Sequence, residues 1–450
     1  MDTPVSDFLN EYASSGTARF HMPGHKGRIE NGLCDITEIQ GADSLYEASG
    51  IIARSEANAS GLFGTAATLY SAEGSSQCVR AMLALACGWE NSGRGRVILA
   101  ARNVHRSFLT AAALLDLEVE WLYPEDEEFS LCGCRVSPEQ VRRKIAGCTE
   151  KPAAVYLTSP DYLGRMQDIR AISDAAHEAG IPLLVDNAHG AYLHFLDDPL
   201  HPMDLGADMC CDSAHKTLPS LTGCAYLHIS RAAADKDIYI GNAKKALAMF
   251  GSTSPSYLLL KSLDETNAAL AGDFRTALRS CCSAASQCRE QLIRQGWTVY
   301  KDTEPLKITI DSGASGLNGR ELADSLRQHG IECEYADSDT IVLMPSPYND
   351  EKDFEALVSG MQEASGLIRH GGKAAVPMLR PEKVLSIREA MFAPAEIVPA
   401  DESIGRVMAD AALACPPAVP VFICGERIPE GAEEIFARCG ITHVAVVREI

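Results

Sequence analysis

The chain has 450 residues, enough for two or three domains with a large core, and a formal net charge of −21. That charge argues against a nucleic-acid partner and suits a small cationic substrate. No apolar run reaches the roughly 18 residues of a membrane helix, and the first residues lack the basic start and apolar stretch of a signal peptide. We therefore expect a cytoplasmic protein without a membrane partner. Its 16 cysteines are expected to be reduced, and their spacing predicts no metal site.

Short apolar runs alternate with helical patterns through the first half of the chain. The helical patterns include "SSQCVRAMLALA", "HRSFLTAAALL" and "PEQVRRKIAG". This alternation is typical of an α/β fold with a largely parallel sheet that helices cover on both faces. The seven predicted strands are, in chain order, "ATLYS", "RVILA", "EVEWLY", "AAVYLTSP", "PLLVDNAHG", "DMCCDS" and "CAYLHIS".

A second pattern follows the predicted sheet. A long helical stretch runs from "PSYLLLKSLDETNAAL" to about Gln295, and a smaller αβ set follows from "LKITI" to "DEKDFEALVSGMQEA". The stretch "GLIRHGGKAAVP" has the composition of a linker. We therefore predict a large domain over residues 1–255, a long helix with a small αβ domain over 256–370, and a small C-terminal domain over 371–450.

Polar residues follow several of the predicted strands, at the end of the sheet where ligands bind in parallel α/β folds. The first group is Gly74, Ser75 and Ser76, between a strand and a helix. A glycine permits close approach of the backbone, and hydroxyls at a helix N-terminus suit a phosphate group. Taken alone, this stretch is more simply an ordinary helix N-cap.

The second group is Asp186 and His189, in "LLVDNAHG". A carboxylate at the end of a strand could hold a proton on a heterocyclic nitrogen. His189 could act as an acid or base, or donate a hydrogen bond to a ligand. The alternative is a strand-end aspartate that caps the next turn.

The third group surrounds Lys216, in "CDSAHKTLPSLTG", with Ser213 and His215 beside it. A lysine next to a dry pocket has a lowered pKa and can form a Schiff base, whereas a lysine on a surface loop has no such role. Together the three groups supply a phosphate site, a partner for a pyridinium nitrogen and a nucleophilic lysine. These are the protein-side requirements of pyridoxal phosphate.

The motifs also carry a family resemblance. The sequence resembles the bacterial-type ornithine/lysine/arginine decarboxylases, which are pyridoxal-phosphate enzymes of the aspartate-aminotransferase fold (fold type I). "REAMFAPAEIVPADESIGRV" and "CPPAVPVFICGERI" are similar to the small C-terminal domain of that family. Nothing resembles the extra N-terminal domain of its larger members, so we expect a short form. The other matching motifs are "HMPGHKG", "DITE", "RNVHRS", "TSPDYLG", "DNAHGAY", "SAHKTLPSLTG" and "STSPSYLLLKSLD".

The resemblance implies a role for each matching residue. Lys216 would hold the cofactor aldehyde, Asp186 would pair with the pyridine nitrogen, and His105 would stack on the ring. Lys216 or His189 would return a proton to the substrate Cα. The motif "STSPSY" would reach the phosphate of a neighbouring subunit, so the resemblance implies a homodimer or a larger oligomer with shared active sites. Without the resemblance, His105 is a helix-start histidine and "STSPSY" a helix N-cap. The phosphate contacts it implies are Ser75, Ser76, Ser213 and His215, with Ser252, Thr253 and Ser254 serving the partner.

The resemblance implies decarboxylation of arginine, lysine or ornithine to an amine of the polyamine pathways. Glu426, in "ICGERI", is the predicted partner of the substrate's distal cation, and a solvated glutamate is the alternative. Transamination or elimination on the same scaffold is the nearest other function, and a catalytically silent regulatory protein is a third. Five departures from the family pattern leave the substrate open: Asn187 replaces a glutamate, Thr222 a glutamine, Cys415 a tyrosine, Ala418 a glycine and Cys424 a proline.

Overall fold

The computed structural model describes residues 1–89, 95–125, 129–369, 376, 378–411, 413–414 and 418–448. Cys415 and most of the predicted linker lie outside these residues. The chain divides into two compact units. Unit 1 comprises Met1–Leu99, Pro138–Ser159 and Asp168–Arg275, and unit 2 comprises Ala100–Ser137, Pro160–Gln167 and Thr276–Ile450. The division into three domains stays a prediction.

All seven predicted strands of the large sheet are present, and the sheet has the order β1-β7-β6-β5-β4-β2-β3. β4, β5 and β6 pair in parallel, whereas β7 is antiparallel to both of its neighbours. The predicted α/β fold with a mostly parallel sheet is therefore confirmed. The strands are β1 (Ala67–Ser71), β2 (Val97–Ala101), β3 (Glu118–Leu122), β4 (Ala154–Thr158), β5 (Leu183–Asp186), β6 (Met209–Asp212) and β7 (Ala225–Ile229).

The central strands are apolar on both faces because helices cover a parallel sheet on both sides. Every residue of β5, β6 and β7 is buried. No helix among the described residues is long and apolar enough to cross a membrane. The first helices are α1 (Pro4–Ser14), α2 (Ile51–Leu62), α3 (Gly74–Cys87), α4 (Arg106–Leu115), α5 (Pro138–Gly147), α6 (Ile169–Glu178), α7 (Pro202–Leu205), α8 (Ala214–Thr217) and α9 (Lys236–Ala248).

The long helical stretch predicted after the sheet consists of two helices, α10 (Tyr257–Ala271) and α11 (Phe274–Arg294). The break falls at Gly272, which follows α10 with a non-helical backbone (φ −93°, ψ −129°).

Unit 2 contains the smaller sheets and the remaining helices. A three-stranded sheet has the order β8-β10-β9. Two further sheets have two strands each: β11 pairs with β14, and β12 pairs with β13. The strand predicted at "IECEYA" is reduced to β9. The strands are β8 (Ile308–Asp311), β9 (Tyr335–Ala336), β10 (Thr340–Leu343), β11 (Ala395–Pro399), β12 (Leu413–Ala414), β13 (Val419–Pro420) and β14 (His443–Val447). The helices are α12 (Gly319–Gln328), α13 (Glu351–Ala364), α14 (Ile387–Phe392) and α15 (Ala432–Cys439).

One departure from the family pattern coincides with an unusual backbone conformation in unit 2. Ala418 has φ +56°, in the left-handed region. Its carbonyl oxygen accepts a hydrogen bond from the backbone N–H of Arg106 at 3.0 Å. A side chain with a Cβ atom pays about 1–2 kcal/mol in this region, whereas glycine does not. The glycine expected from the resemblance would therefore fit this position better than alanine does.

We predict that Ala418→Gly raises the free energy of unfolding by roughly 1 kcal/mol, because it removes the left-handed strain. Chemical denaturation measures the change. Ala393→Gly is the matched control, since Ala393 has an ordinary φ of −71°, and it should lower stability by about 0.5–1 kcal/mol. A loss of stability in both variants would contradict the assignment of strain to Ala418.

Candidate active site

The predicted catalytic residues of unit 1 lie at the C-terminal ends of the parallel strands of the large sheet. Asp186 is the last residue of β5 and Ser213 directly follows β6, so both lie where neighbouring parallel strands end. Lys216 lies on the short helix α8, and its Nζ is 3.0 Å from Nε2 of His189. The structure thus brings Lys216 and His189 into direct contact beside the strand that carries Asp186.

The Asp186 carboxylate is buried, with 3% of the residue exposed. Its Oδ2 accepts a hydrogen bond from the Tyr156 hydroxyl at 3.3 Å. Its Oδ1 accepts from the backbone N–H of Ala188 at 3.1 Å and from the Cys211 thiol at 3.7 Å. Within the described ranges no lysine, arginine or histidine forms an ion pair with this carboxylate. A buried carboxylate without a cationic partner is costly, so Asp186 is a candidate for binding a cation.

The residues predicted to bind phosphate lie at the start of α3. Gly74 has φ +70°, a Cβ atom there would meet nothing within 4 Å, and its N–H donates to the carbonyl of Gly223 at 2.8 Å. The Ser213 hydroxyl donates to the Ser75 hydroxyl at 2.7 Å, and Ser76 is half-buried in the same turn. The hydroxyl of Ser75, in the first turn of α3, thus meets the hydroxyl of Ser213, which precedes α8, at the N-terminus of a 14-residue helix. Such a position is favourable for an anion.

Four other residues were predicted to contact a phosphate group, His215 and the residues 252–254, and all four belong to unit 1. Nδ1 of His215 is 2.9 Å from the carbonyl of Cys224, and burial lowers the pKa of this histidine. Ser252, Thr253 and Ser254 are exposed, and the N–H of Ser252 donates to the Glu73 carboxylate. Thr222, one of the departures from the family pattern, is also exposed.

Two predicted residues belong to unit 2. His105 is the N-cap of α4, where its Nδ1 accepts from the N–H of Ser107 at 3.2 Å. Glu426 is buried, and its Oε2 accepts from Nη2 of Arg102 at 2.6 Å and from the N–H of Ile423 at 2.8 Å. Although burial disfavours the charged guanidinium, the Glu426 carboxylate holds the pKa of Arg102 above its ordinary value. The alternative of a solvated glutamate is therefore wrong.

A second buried carboxylate, Asp212, lies at the end of β6. It accepts hydrogen bonds from Asn187 at 2.6 Å and from Nε2 of His201 and His228, each at 3.0 Å. Burial alone would raise the pKa of Asp212, but the two histidines hold it well below its ordinary value. Asn187 replaces the glutamate of the family pattern, and an ionised glutamate there would face the Asp212 charge directly. The asparagine thus supplies a donor in place of a second acid.

The ligand atoms of His201, Cys210, Asp212 and His228 all lie within 4.8 Å of one another, as in a metal site. However, Nδ1 of His201 accepts the backbone N–H of Met203 at 3.3 Å, so the ring proton is on Nε2. A metal would have to bind that same Nε2 through a free lone pair. The cluster is therefore a hydrogen-bond network.

Sequence reasoning missed Tyr156, Cys211 and Arg102. Tyr156 and Cys211 read as apolar residues of buried strands, and only the pairing of β4, β5 and β6 brings them to Asp186. Arg102 stands 324 residues before its partner Glu426. The one signal in the sequence was its place in "RNVHRS", directly after a buried strand. Cys424, another departure, is buried, and burial raises the pKa of its thiol to about 12.

These residues lie on an α/β fold and comprise a candidate anion site, a buried acid and a lysine in contact with a histidine. The structure is similar to that of the lysine decarboxylase LdcF of Francisella novicida, with a TM-score of 0.80 and 17% identity, covering 99% of this chain and 81% of that one. It is likewise similar to the constitutive lysine decarboxylase of E. coli, with a TM-score of 0.78 and 18% identity, over 99% and 82% of the two chains. At such identities the likeness supports the fold, and the predicted aspartate-aminotransferase-like architecture is confirmed.

The family described as "Orn/Lys/Arg decarboxylase, major domain" matches residues 3–311. The arginine decarboxylase of Bacillus subtilis (strain 168) is 30% identical over 95% of this chain and 92% of that protein. The arginine decarboxylase of Halalkalibacterium halodurans is 28% identical over 95% of this chain and 91% of that protein. The chain belongs to the Orn/Lys/Arg decarboxylase family, and the family predicted from its motifs is confirmed.

Proposed function

We propose that this protein is a pyridoxal-phosphate-dependent decarboxylase of a basic amino acid, with arginine as the first candidate. The observation that carries the proposal is the buried Asp186 carboxylate, which has no cationic partner among the described residues. It stands three residues before His189, whose ring contacts Lys216. Family membership supports decarboxylation over transamination or elimination. The arginine decarboxylases among the relatives cover nearly the whole chain, which favours arginine over lysine and ornithine.

The side chains of unit 1 fit pyridoxal phosphate. The amine of Lys216 would take the aldehyde, the Asp186 carboxylate would take the protonated ring nitrogen, and the start of α3 with Ser75 and Ser213 would take the phosphate. When bound, this cofactor stabilises the electron pair that the departing carbon dioxide leaves at the substrate Cα. Asp186 supports that role because a buried anion keeps the ring nitrogen protonated.

Lys216 and His189 form a pair that can move a proton. Their nitrogens are 3.0 Å apart, so a proton can pass between Nζ and Nε2. Either Lys216 or His189 could therefore supply the proton that the substrate Cα needs after decarboxylation. The sequence prediction named these same two residues, and it is retained here.

Glu426 remains our candidate for the distal cation of the substrate. It is not a bare carboxylate, because Oε2 is already engaged by Arg102 and by the N–H of Ile423. Among the described residues nothing donates to Oε1, which leaves that oxygen for a substrate guanidinium or ammonium. Arg102 would then hold the carboxylate in place, with its guanidinium carbon 5.2 Å from the ring centre of Trp121.

We also retain the proposals of a cytoplasmic location and of a homodimer with shared active sites. Ser252, Thr253 and Ser254 are exposed in a single chain, as residues that serve a partner must be. The segment of residues 20–33 also exposes four large apolar side chains, a surface that a second copy would cover. These are Phe20 (96% exposed), Met22 (51%), Ile29 (58%) and Leu33 (54%).

The test of the function is product analysis with arginine, lysine and ornithine in the presence of pyridoxal phosphate. We expect carbon dioxide and the corresponding amine, with the highest kcat/KM for arginine. Borohydride reduction followed by peptide mapping should find the cofactor on Lys216, and Lys216→Ala should abolish both label and product. Lys236→Ala is the control, because Lys236 is a half-buried lysine of the same unit whose Nζ donates to the carbonyl of Arg231 at 3.4 Å. A keto acid as main product, or a label on another lysine, would contradict the proposal.

Glu426→Gln keeps the shape of the side chain and removes its charge. We expect kcat/KM for the best basic substrate to fall tenfold to a hundredfold, about 1.5–3 kcal/mol, mainly through a higher KM. Because the change also leaves Arg102 buried without its anion, thermal unfolding must be measured alongside the kinetics.

Glu382→Gln is the matched control for that variant. Glu382 pairs with Arg427 at 2.9 Å on the surface, and both side chains are exposed. It should change neither kinetics nor stability measurably. A destabilised Glu426→Gln protein whose KM equals that of the wild type would make the carboxylate a structural partner of Arg102 alone.

A further inference from the structure

The two oxygens of the Asp186 carboxylate are held by different donors. Oδ2 accepts only from the Tyr156 hydroxyl, at 3.3 Å, among the described residues. Oδ1 accepts from the Ala188 N–H at 3.1 Å and from the Cys211 thiol at 3.7 Å. Both side-chain donors are fully buried, so water does not take their place.

The pairing of the strands creates this arrangement. Asp186 is opposite Cys211 across β5 and β6, and it is opposite Thr158 across β4 and β5. Residues two apart on a strand point to the same face, so Tyr156 lies on the face that carries Asp186. The three adjacent strands β4, β5 and β6 thus place the Tyr156 hydroxyl, the Asp186 carboxylate and the Cys211 thiol on one face of the sheet.

We propose that Tyr156 and Cys211 are positioning residues that hold the Asp186 carboxylate for the ring nitrogen of pyridoxal phosphate, and that the thiol preserves the strength of Asp186 as an acceptor. This inference depends on the proposed function. Tyr156 and Cys211 would not contact the cofactor themselves, because each acts through Asp186.

The chemistry of the donors explains the second part of the proposal. Burial, and then the nearby Asp186 charge, raise the pKa of both the Cys211 thiol and the Tyr156 hydroxyl, so both stay protonated and donate. A thiol is a weak donor, and it withdraws little electron density from the oxygen that it contacts. A hydroxyl at position 211 would donate more strongly and weaken the carboxylate as an acceptor for the pyridinium N–H.

Cys210 provides a matched control. It is the preceding residue of β6, has the same chemistry and is equally buried. Its side chain points to the opposite face, where its sulfur lies among His201, Asp212 and His228. A change at Cys210 therefore disturbs packing as much as a change at Cys211, but it leaves the donors of Asp186 in place.

The experiment compares Cys211→Ala, Cys211→Ser, Cys210→Ala and Cys210→Ser with the wild type, each loaded with pyridoxal phosphate labelled with ¹⁵N in the ring. The ring ¹⁵N signal reports the position of the proton between the ring and the carboxylate. Cys211→Ser should move the signal towards that of a fully protonated ring, and Cys211→Ala should move it in the opposite direction. The Cys210 variants should leave it unchanged.

Affinity gives a second measurement that does not need turnover. Tyr156→Phe and Cys211→Ala should weaken the binding of pyridoxal phosphate to the apoprotein by about threefold to tenfold, because the loss of a fixed carboxylate position outweighs the gain in acceptor strength. The Cys210 variants, whose thermal unfolding is measured in parallel, should bind as the wild type does.

Unchanged ¹⁵N signals in both Cys211 variants, or equal shifts in the Cys210 and Cys211 variants, would overturn the positioning role. If one Cys211 variant fails to fold, the other variant and Tyr156→Phe still decide the question. A wild-type protein that takes up no cofactor on Lys216 would instead overturn the proposed function. The two failures are thus distinguishable.

Discussion

The active site depends on one constraint, a carboxylate buried at the end of a central strand without a cation to balance it. Asp186 lies among apolar strands, and the donors that it meets are a phenol, a thiol and one backbone N–H. Such donors keep a carboxylate in place but do not neutralise it. A flat heterocycle that carries a proton on its nitrogen would supply the missing charge. In the proposed function, Lys216 and the start of α3 would bind the rest of that molecule.

Asp212, the neighbouring buried acid, has donors within the protein that balance its negative charge. Asp212 is just as deeply buried and ends the next strand, yet Asn187, His201 and His228 all donate to it. The two acids lie on opposite faces of β5 and β6. Asp212 has its donors within the protein, whereas Asp186 has no cationic partner among the described residues. This contrast supports the proposed role of Asp186 as the partner of the protonated ring nitrogen.

Much of the fold was predictable from the sequence because its signals are local. The seven strands of the large sheet and the helices between them follow from apolar periodicity, and the groups at Gly74, Asp186 and Lys216 follow from their positions after strands. The contacts that tune the site were not predictable. The thiol of Cys211 reaches Asp186 only through the register of β5 and β6, and no periodicity indicates register. Arg102 and Glu426 are 324 positions apart, and no local pattern in the sequence indicates that they pair.

The most direct test of the account is the binding of pyridoxal phosphate by Asp186→Asn, together with its turnover of the best basic amino acid. The variant keeps the volume of the side chain and removes the charge. If the unbalanced carboxylate is the basis of the site, the protein should fold normally, bind the cofactor at least about tenfold more weakly, and lose roughly a hundredfold or more in turnover number. Affinity and turnover close to those of the wild type would contradict the account, because the charge of Asp186 would then have no part in holding or activating the cofactor.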